Sequence, residues 1–206
     1  MADAVRHGRH DRYADDFVVG FQHRRVAERF LKELREQFAR FGLTLHPAKT
    51  RLIEFGRFAA DNRRQRGQGK PETFDFLGFT HVCGRKVVTR KFHVRRLSAK
   101  QRLRAKLQVV KQTLHRHRHR PIPEPGAWLR GVVQGWLNYH AVPGNMAALE
   151  TFRTQSARAW LHASRRRSQR QHMSWARFGK LADHWIPKPT ISHPHPNERF
   201  YAKYPK

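Results

Sequence analysis

The sequence predicts an α+β fold in which antiparallel hairpins and one helix are followed by a helical region. In the first half of the chain, short runs of aromatic and β-branched residues flank turn residues, as at 12–20 and 74–79. This pattern is typical of strands joined by hairpins. After residue 98, apolar residues recur at spacings of three and four, which is typical of amphipathic helices. One such stripe consists of Leu103, Leu107, Val110 and Leu114.

The charge of the chain points to a polyanionic partner. Its 206 residues include 43 Lys or Arg against 15 Asp or Glu, a formal net charge of +28. Such an excess favours nucleic acid. No apolar run approaches the roughly 20 residues that a membrane-spanning helix needs, so no membrane role is expected. The single cysteine, Cys83, excludes an internal disulfide and a multi-cysteine zinc site. We expect a cytoplasmic protein.

Two adjacent carboxylates, Asp15 and Asp16, lie at the predicted tip of the first hairpin, Arg-Tyr-Ala-Asp-Asp-Phe-Val-Val-Gly at 12–20. Like charges side by side repel, and a divalent cation that both can approach relieves the repulsion. In two-metal phosphoryl transfer, carboxylates hold the ions that activate the attacking oxygen and stabilise the leaving one. A solvated turn is the alternative for an isolated Asp-Asp pair, because Asp is common in turns.

Four motifs in this order resemble reverse transcriptases, particularly those encoded by group II introns. They are Tyr-Ala-Asp-Asp at 13–16, Gly-Leu-Thr-Leu-His-Pro-Ala-Lys-Thr at 42–50, Phe-Asp-Phe-Leu-Gly-Phe at 74–79 and Gly-Trp-Leu-Asn-Tyr-His at 135–140. The first resembles the catalytic hairpin, the third the primer grip, and the fourth part of the maturase-specific helical region. The resemblance covers nearly the whole chain.

The resemblance implies a partial polymerase palm followed by an α-helical thumb/maturase domain. The palm part would span 1–92, the helical domain 93–165, and a basic, proline-rich segment 166–206. The implied function is RNA-directed DNA synthesis, with intron RNA binding and splicing assistance. Its partners would be structured intron RNA and an RNA/DNA primer-template.

The resemblance also assigns roles to individual residues. Asp15 and Asp16 would bind catalytic Mg²⁺. Lys49 would lie near the incoming triphosphate, where a cation can assist the leaving pyrophosphate; by its residue type alone it is an exposed turn lysine. The primer grip, which positions the growing 3′ end, would consist of Phe76, Leu77 and Gly78. Glycine there would let the backbone approach the nucleic acid closely.

A long stretch of the chain carries charge of only one sign. No Asp or Glu occurs from 76 to 123, whereas 84–120 contains fourteen Lys or Arg. Solvated faces normally interleave both signs, so a polyanion is the better explanation. His115 and His119 have metal-ligand spacing, but the neighbouring arginines would repel a metal, and stacking or phosphate contact suits them better. The predicted nucleic-acid contacts are Lys100, Arg104, Lys106, Lys111, Arg116, Arg118, Arg165 and Arg166.

Parts of the family pattern are missing. A complete polymerase needs fingers and a further metal-binding aspartate on an earlier strand, and no residue upstream of Arg12 has that context. The two-metal site is therefore expected to be incomplete in this chain, and polymerisation to require the missing N-terminal half as a partner. Two alternatives remain open: a non-catalytic RNA-binding maturase module, and a remnant of a mobile element.

Local patterns predict several element boundaries. An apolar stripe from Val26 to Phe41 predicts a helix that Gly42 ends. Segments 43–45 and 51–55 are typical of short strands, whereas 60–72 has no apolar period and is expected to be a loop. Segment 86–94 is expected to supply the strands that pair with 74–79.

Polar residues before three later stripes predict helix starts. Ser98, with Gln101 three residues later, has the form of a capping box. Asn145 and Ser174 are expected to cap the last two helices. Between Ser98 and Asn145, the bulky residues from Trp128 to Leu137 predict a strongly apolar helix whose tryptophans belong to the core.

Overall fold

The computed structural model describes residues 9–13, 16–86, 88–167 and 173–195. Within these ranges it contains five strands and six helices, so the predicted α+β class is confirmed. In chain order they are β1 Arg9–Tyr13, β2 Asp16–Gly20, α1 Arg24–Arg40, α2 Ala59–Gln65, β3 Phe74–Phe76, β4 Phe79–Arg85, β5 Phe92–Ser98, α3 Lys100–Arg116, α4 Pro123–His140, α5 Met146–Arg165 and α6 Trp175–Trp185. No helix in these ranges is long and apolar enough to cross a membrane.

The chain divides into two compact units, Met1–Glu72 and Thr73–Lys206. Strands β3 to β5 therefore belong to the same unit as α3 to α6. The sequence-based division at residue 92 assigned β3 and β4 to the palm part together with the first hairpin, and nearly all of β5 to the helical domain. That three-domain division stays a prediction.

In the first unit, β1 and β2 form an antiparallel hairpin in which Tyr13 pairs with Asp16. Helix α1 follows, and its end is as predicted. Gly42 has φ +67°, which glycine adopts without the steric cost of a Cβ. The amide of Gly42 donates to Ala39 O at 3.0 Å and that of Leu43 donates to Phe38 O at 2.9 Å, which satisfies the last carbonyls of the helix.

Two predictions for the first unit are wrong. Segments 43–45 and 51–55 are not strands, because neither pairs with another strand in the described part of the chain. Segment 60–72 is not only a loop, because it contains most of α2. That short helix has no apolar stripe; polar contacts hold it, since Glu54 accepts from Asn62 at 3.2 Å and from Arg66.

The sheet of the second unit has the order β3-β4-β5, with both pairs antiparallel. Phe76 pairs with Phe79, and Phe79 pairs with Ser98. The prediction that 86–94 supplies the strands that pair with 74–79 is wrong: the partner of β3 is β4, and Phe92 to Val94 pair with 83–85 of β4 instead. The residues before Phe92 turn the chain, because the amide of Lys86 donates to Lys91 O at 2.9 Å.

The main hydrophobic core lies among α3 to α6. Its largest fully buried side chains include Trp160, Phe152 and Phe178. The predicted apolar face of α3 is confirmed, because Leu107, Val110 and Leu114 are buried in this core. These helices give the basic residues of α3 and α5 a rigid support.

The helix starts of this unit follow the prediction only in part. Ser174 caps α6, since its hydroxyl accepts from the amide of Arg177 at 3.3 Å. The capping box at Ser98 is wrong: Ala99 is the N-cap of α3 and makes no side-chain cap. Asn145 occupies the N-cap position of α5, but its side chain makes no cap bond either. Ser98 and Asn145 bond each other instead.

Candidate nucleic-acid interface

The predicted catalytic hairpin is described up to Tyr13 on one side of its tip and from Asp16 on the other. Asp16 begins β2 with an exposed side chain, next to Phe17, whose ring is 41% exposed. Asp15 lies outside the described residues. Among the described residues no group of three or more His, Cys, Asp or Glu side chains could hold a metal ion. Asp16 alone is not a two-metal site, so the Mg²⁺ site stays a prediction that needs Asp15 and a further carboxylate.

Lys49 lies in a turn after α1. Its amide donates to His46 O at 3.1 Å, and its side chain is exposed. Among the described side chains, no ion pair joins Lys49 to Asp16. An exposed ammonium group could contact a phosphate, but the role of Lys49 at a triphosphate stays a prediction.

The predicted primer grip is a tight turn between β3 and β4. Leu77 and Gly78, here called the grip turn, have φ +50° and +76°. Two successive positive values are typical of the type I′ turn that joins paired strands, which explains why glycine is needed at the second position. The Leu77 side chain is 37% exposed, and that of Phe76 is half-buried.

Both carbonyls of the grip turn are bonded to the helical region. The hydroxyl of Tyr139 on α4 donates to Leu77 O at 2.8 Å. The amide of Ala99, just before α3, donates to Gly78 O at 2.9 Å. The ring of Phe79 also stacks on that of Tyr139, with centroids 5.5 Å apart. The position of the grip turn is therefore set by α3 and α4.

A buried polar network lies beneath this turn and joins β5, α4 and α5. The amide of Ser98 donates to Asn145 Oδ1 at 2.9 Å. The Nδ2 group of Asn145 then donates to His140 O at 2.8 Å and to Ser98 Oγ at 2.9 Å. This leaves the hydroxyl proton of Ser98 for His140 Nδ1, 3.0 Å away. The amide of Ser98 can only donate and the carbonyl of His140 can only accept, so these two bonds fix which end of the Asn145 side-chain amide is oxygen and which is nitrogen.

The imidazole of His140 is neutral in this network. Burial lowers its pKa to about 4, because the charged form would lose its hydration. The ring of Trp136 stacks on the imidazole with centroids 3.9 Å apart. The ring of Phe152 also stacks on that of Trp136, with centroids 4.5 Å apart. Through these contacts the partly buried Trp136 packs against the core, so its role is structural as its helical spacing predicts.

The predicted basic contacts of α3 lie on different sides of the helix. At 3.6 residues per turn, Lys100, Arg104 and Lys111 fall within about 40° of one another, whereas Lys106 lies on the opposite flank. Arg116 ends the helix. All five side chains are exposed. The helix therefore offers a row of cations beside its buried stripe.

The other three predicted contacts differ in their availability. Arg118 is half-buried and donates to His115 O at 3.3 Å. Arg165 donates from Nε to Met173 O at 2.8 Å, so its guanidinium binds backbone after α5. Arg166 is exposed. Of these three residues, Arg166 is the best placed for a phosphate.

Part of this basic surface forms a concave site. Its walls come from the last turns of α3 and α5, and its floor from alanines of α5. The site, here called the α3–α5 groove, has a volume of about 690 Å³. Its lining consists of Lys111, Gln112, His115, Arg116, Ala159, His162, Ala163 and Arg166. It brings together three of the predicted contacts, Lys111, Arg116 and Arg166.

The hairpin, α1, Lys49 and the grip turn all fall in one stretch that is similar to a known family. Residues 3–81 match the reverse transcriptase (RNA-dependent DNA polymerase) model. This confirms the reverse-transcriptase resemblance for residues 3–81. Reverse transcriptases are proteins that bind nucleic acid. No curated protein matches the chain. The group II intron origin and the maturase character of the helices stay predictions.

Sequence reasoning missed the residues that support the grip turn of this reverse-transcriptase-like segment. They are Ser98, Tyr139, His140 and Asn145. Tyr139 and His140, at the end of an apolar helix, could have indicated this role in the sequence, because polar groups at such a position can form hydrogen bonds to neighbouring elements. Their partners were not foreseeable from spacing, since Ser98 is 42 residues from His140 and 47 from Asn145.

Proposed function

We propose that the chain is the C-terminal portion of a group II intron-type reverse transcriptase/maturase. It binds structured intron RNA and an RNA/DNA primer-template, and it contributes to RNA-directed DNA synthesis and splicing only with an N-terminal polymerase half. The observation that carries this proposal is that the grip turn and the one-signed helix α3 belong to one compact unit. The bonds of Leu77 O and Gly78 O to the helical region support it.

In this proposal the roles within the chain are separate. Phe76 and the grip turn position the primer end, while the row of cations on α3 neutralises phosphates. Lys49 contacts the triphosphate. Mg²⁺, held by Asp15, Asp16 and a carboxylate from the N-terminal half, would supply the activation of the primer hydroxyl. The described residues do not form that metal site by themselves.

Nucleotide incorporation tests the catalytic part. The chain alone should not extend a primer on an RNA template with Mg²⁺ present, and co-expression with the fingers and upstream palm of a group II intron reverse transcriptase should restore extension. Asp15→Ala or Asp16→Ala should then abolish it. Glu36→Ala is the matched control, because Glu36 is an exposed carboxylate on α1, 4.0 Å from Lys32. Robust extension by the isolated chain would contradict the need for an N-terminal half.

A second candidate is an RNA-binding module that does not polymerise. It is favoured by the distribution of the core: of the 22 buried hydrophobic residues in the described part of the chain, three lie in the first unit. The second unit thus has its own core and most of the basic helices. Salt-dependent RNA binding by a complemented chain that never incorporates nucleotide would favour this candidate.

A further inference from the structure

The α3–α5 groove owes its shape to small residues on α5. Ala159 and Ala163 are one helical turn apart and form its floor, and Ala163 is only 5% exposed. On α3, Lys111 and His115 each follow a core residue, Val110 and Leu114, so they stand at the edge of the helix contact. Short side chains on one helix and long ones on the other leave a trough above the core.

The groove is positive, and its lining contains no carboxylate. Lys111, Arg116 and Arg166 contribute three cationic groups. None of them forms an ion pair within the described part of the chain, in contrast to the paired cations of α1. A cluster of cations without counter-ions is stabilised by a phosphate.

The other lining groups suit a nucleobase. The imidazoles of His115 and His162 and the guanidinium of Arg166 are planar groups of the kind on which unpaired bases stack. The amide of Gln112 can both donate to and accept from the edge of a base. The trough, of about 690 Å³, is open to solvent, so a base that projects from an RNA can enter it from outside. A base pair within a duplex cannot present a single base to such a trough.

We propose that the α3–α5 groove binds one unpaired nucleotide of a folded RNA, with its phosphate on Lys111, Arg116 and Arg166 and its base against His115 and His162. This proposal rests on the RNA-binding part of the proposed function and adds the structural class of RNA: a helix interrupted by a bulged nucleotide. The phosphate contacts supply affinity, and the groove supplies discrimination between bulged and fully paired RNA.

The test compares two RNA hairpins of equal length and charge, one with a single bulged nucleotide and one fully paired, bound to the full chain. Fluorescence anisotropy at fixed salt should show the bulged hairpin to bind at least about fivefold more tightly, the low end of what stacking one base contributes. Free nucleoside monophosphate should compete only weakly. Equal affinity for the two hairpins would overturn the proposal, as would full competition by the mononucleotide, which would make the groove a free-nucleotide site.

Three variants localise the discrimination. Ala159→Leu fills the groove without changing charge and should abolish the preference for the bulged RNA. His162→Ala, at an exposed position, should reduce it without loss of thermal stability. The third variant, Lys111→Gln with Arg166→Gln, removes two charges from the groove. Its control, Lys86→Gln with Lys91→Gln, removes two charges at exposed positions between β4 and β5. The control should weaken both hairpins equally, whereas the groove pair should also lose the preference.

The outcomes separate this proposal from the proposed function. If Ala159→Leu melts early, His162→Ala and the groove charge pair decide the matter. A preference that survives both of these variants overturns the groove assignment while general RNA binding stands. If the chain binds neither hairpin at low salt, both the groove and the RNA-binding function fail. Absence of nucleotide incorporation affects only the polymerase part.

Discussion

His140 couples protonation to stability because its Nδ1 accepts the Ser98 hydroxyl proton in a buried site. Protonation would remove that acceptor and place a charge next to the Trp136 ring, away from water. The folded state therefore holds the proton much less readily than the unfolded chain does. This side chain joins Ser98 at the end of β5 to Trp136 on α4, and its bond to Ser98 requires a neutral Nδ1 acceptor.

The pH dependence of unfolding should reveal this coupling. Burial lowers the pKa of His140 to about 4 from its ordinary value of 6.5. Its contribution is therefore fully present above the unfolded pKa and falls as pH drops from about 6.5 to about 4, by roughly 3 kcal/mol in total. Urea unfolding across that range measures it.

The variant His140→Gln is the control, because glutamine does not titrate. His81 and His93 also have pKa values lowered by burial, so they destabilise the chain in the same direction as pH falls. The quantity to compare is thus the difference between the two proteins at each pH. If wild type and His140→Gln lose stability in parallel, His140 is not the coupled group.

At the scale of the elements, Gly126 allows α4 to approach Trp185 at the end of α6. A Cβ added at Gly126 would lie 2.7 Å from Trp185 Cδ2 and 2.9 Å from Cγ. The indole is rigid and partly buried in the core. The two helices can cross this closely only because position 126 has no side chain.

Gly126→Ala should therefore destabilise the protein by about 1–3 kcal/mol, the usual cost of overpacking, even though alanine favours a helix by about 1 kcal/mol. Gly131→Ala in the same helix is the matched control. Nothing lies within 4 Å of a Cβ there, so it should be neutral or stabilising. Thermal melts of the two variants give the comparison, and equal shifts in the melting temperature would show that Trp185 does not constrain α4.

The elements that sequence predicted correctly are those whose own residues determine them. The buried stripe of α3 and the end of α1 at Gly42 depend on side chains within one or two turns. The failures depend on distant partners. Ser98 has the pattern of a helix cap, but Asn145, 47 residues away, provides a better partner for it. Segment 51–55 has strand-like residues but pairs with none of the strands in the described ranges.

The candidate site follows the same rule: its locally determined parts were predictable from the sequence, and those that depend on distant residues were not. The cations of α3 and the turn at Gly78 could be read from local chemistry, because charge runs and glycine positions are visible in a sequence. The groove could not, since it depends on the alignment of Ala159 and Ala163 with Lys111 across a helix contact. Alanines carry no chemical signal of their own. Only the packing of α3 on α5 makes them the floor of a site.

For the whole molecule, the buried core is distributed unevenly between the two units. In the described residues of the first unit, the buried hydrophobic side chains are Ala27, Leu34 and Ala59, while Phe41 and Phe58 are 71% and 66% exposed. The second unit contains the other 19 of the 22 buried hydrophobic residues. Because burial of apolar surface is the main stabilising contribution, the units should differ in local stability.

Hydrogen exchange followed by mass spectrometry should resolve that difference. Amides of α4, whose Leu129 and Val133 are fully buried, should open only with the core, whereas amides of α1 should open locally. We expect exchange in α1 to be at least about tenfold faster at equal intrinsic rates, which corresponds to about 1.4 kcal/mol in opening free energy. Peptides from α3 serve as the internal control, since its buried stripe belongs to the core of α4 and should exchange as slowly. Equal protection of α1 and α4 would mean that the first unit is stabilised by contacts other than its own core. Slower exchange in α1 on adding an N-terminal polymerase half would identify that half as the partner that stabilises the first unit.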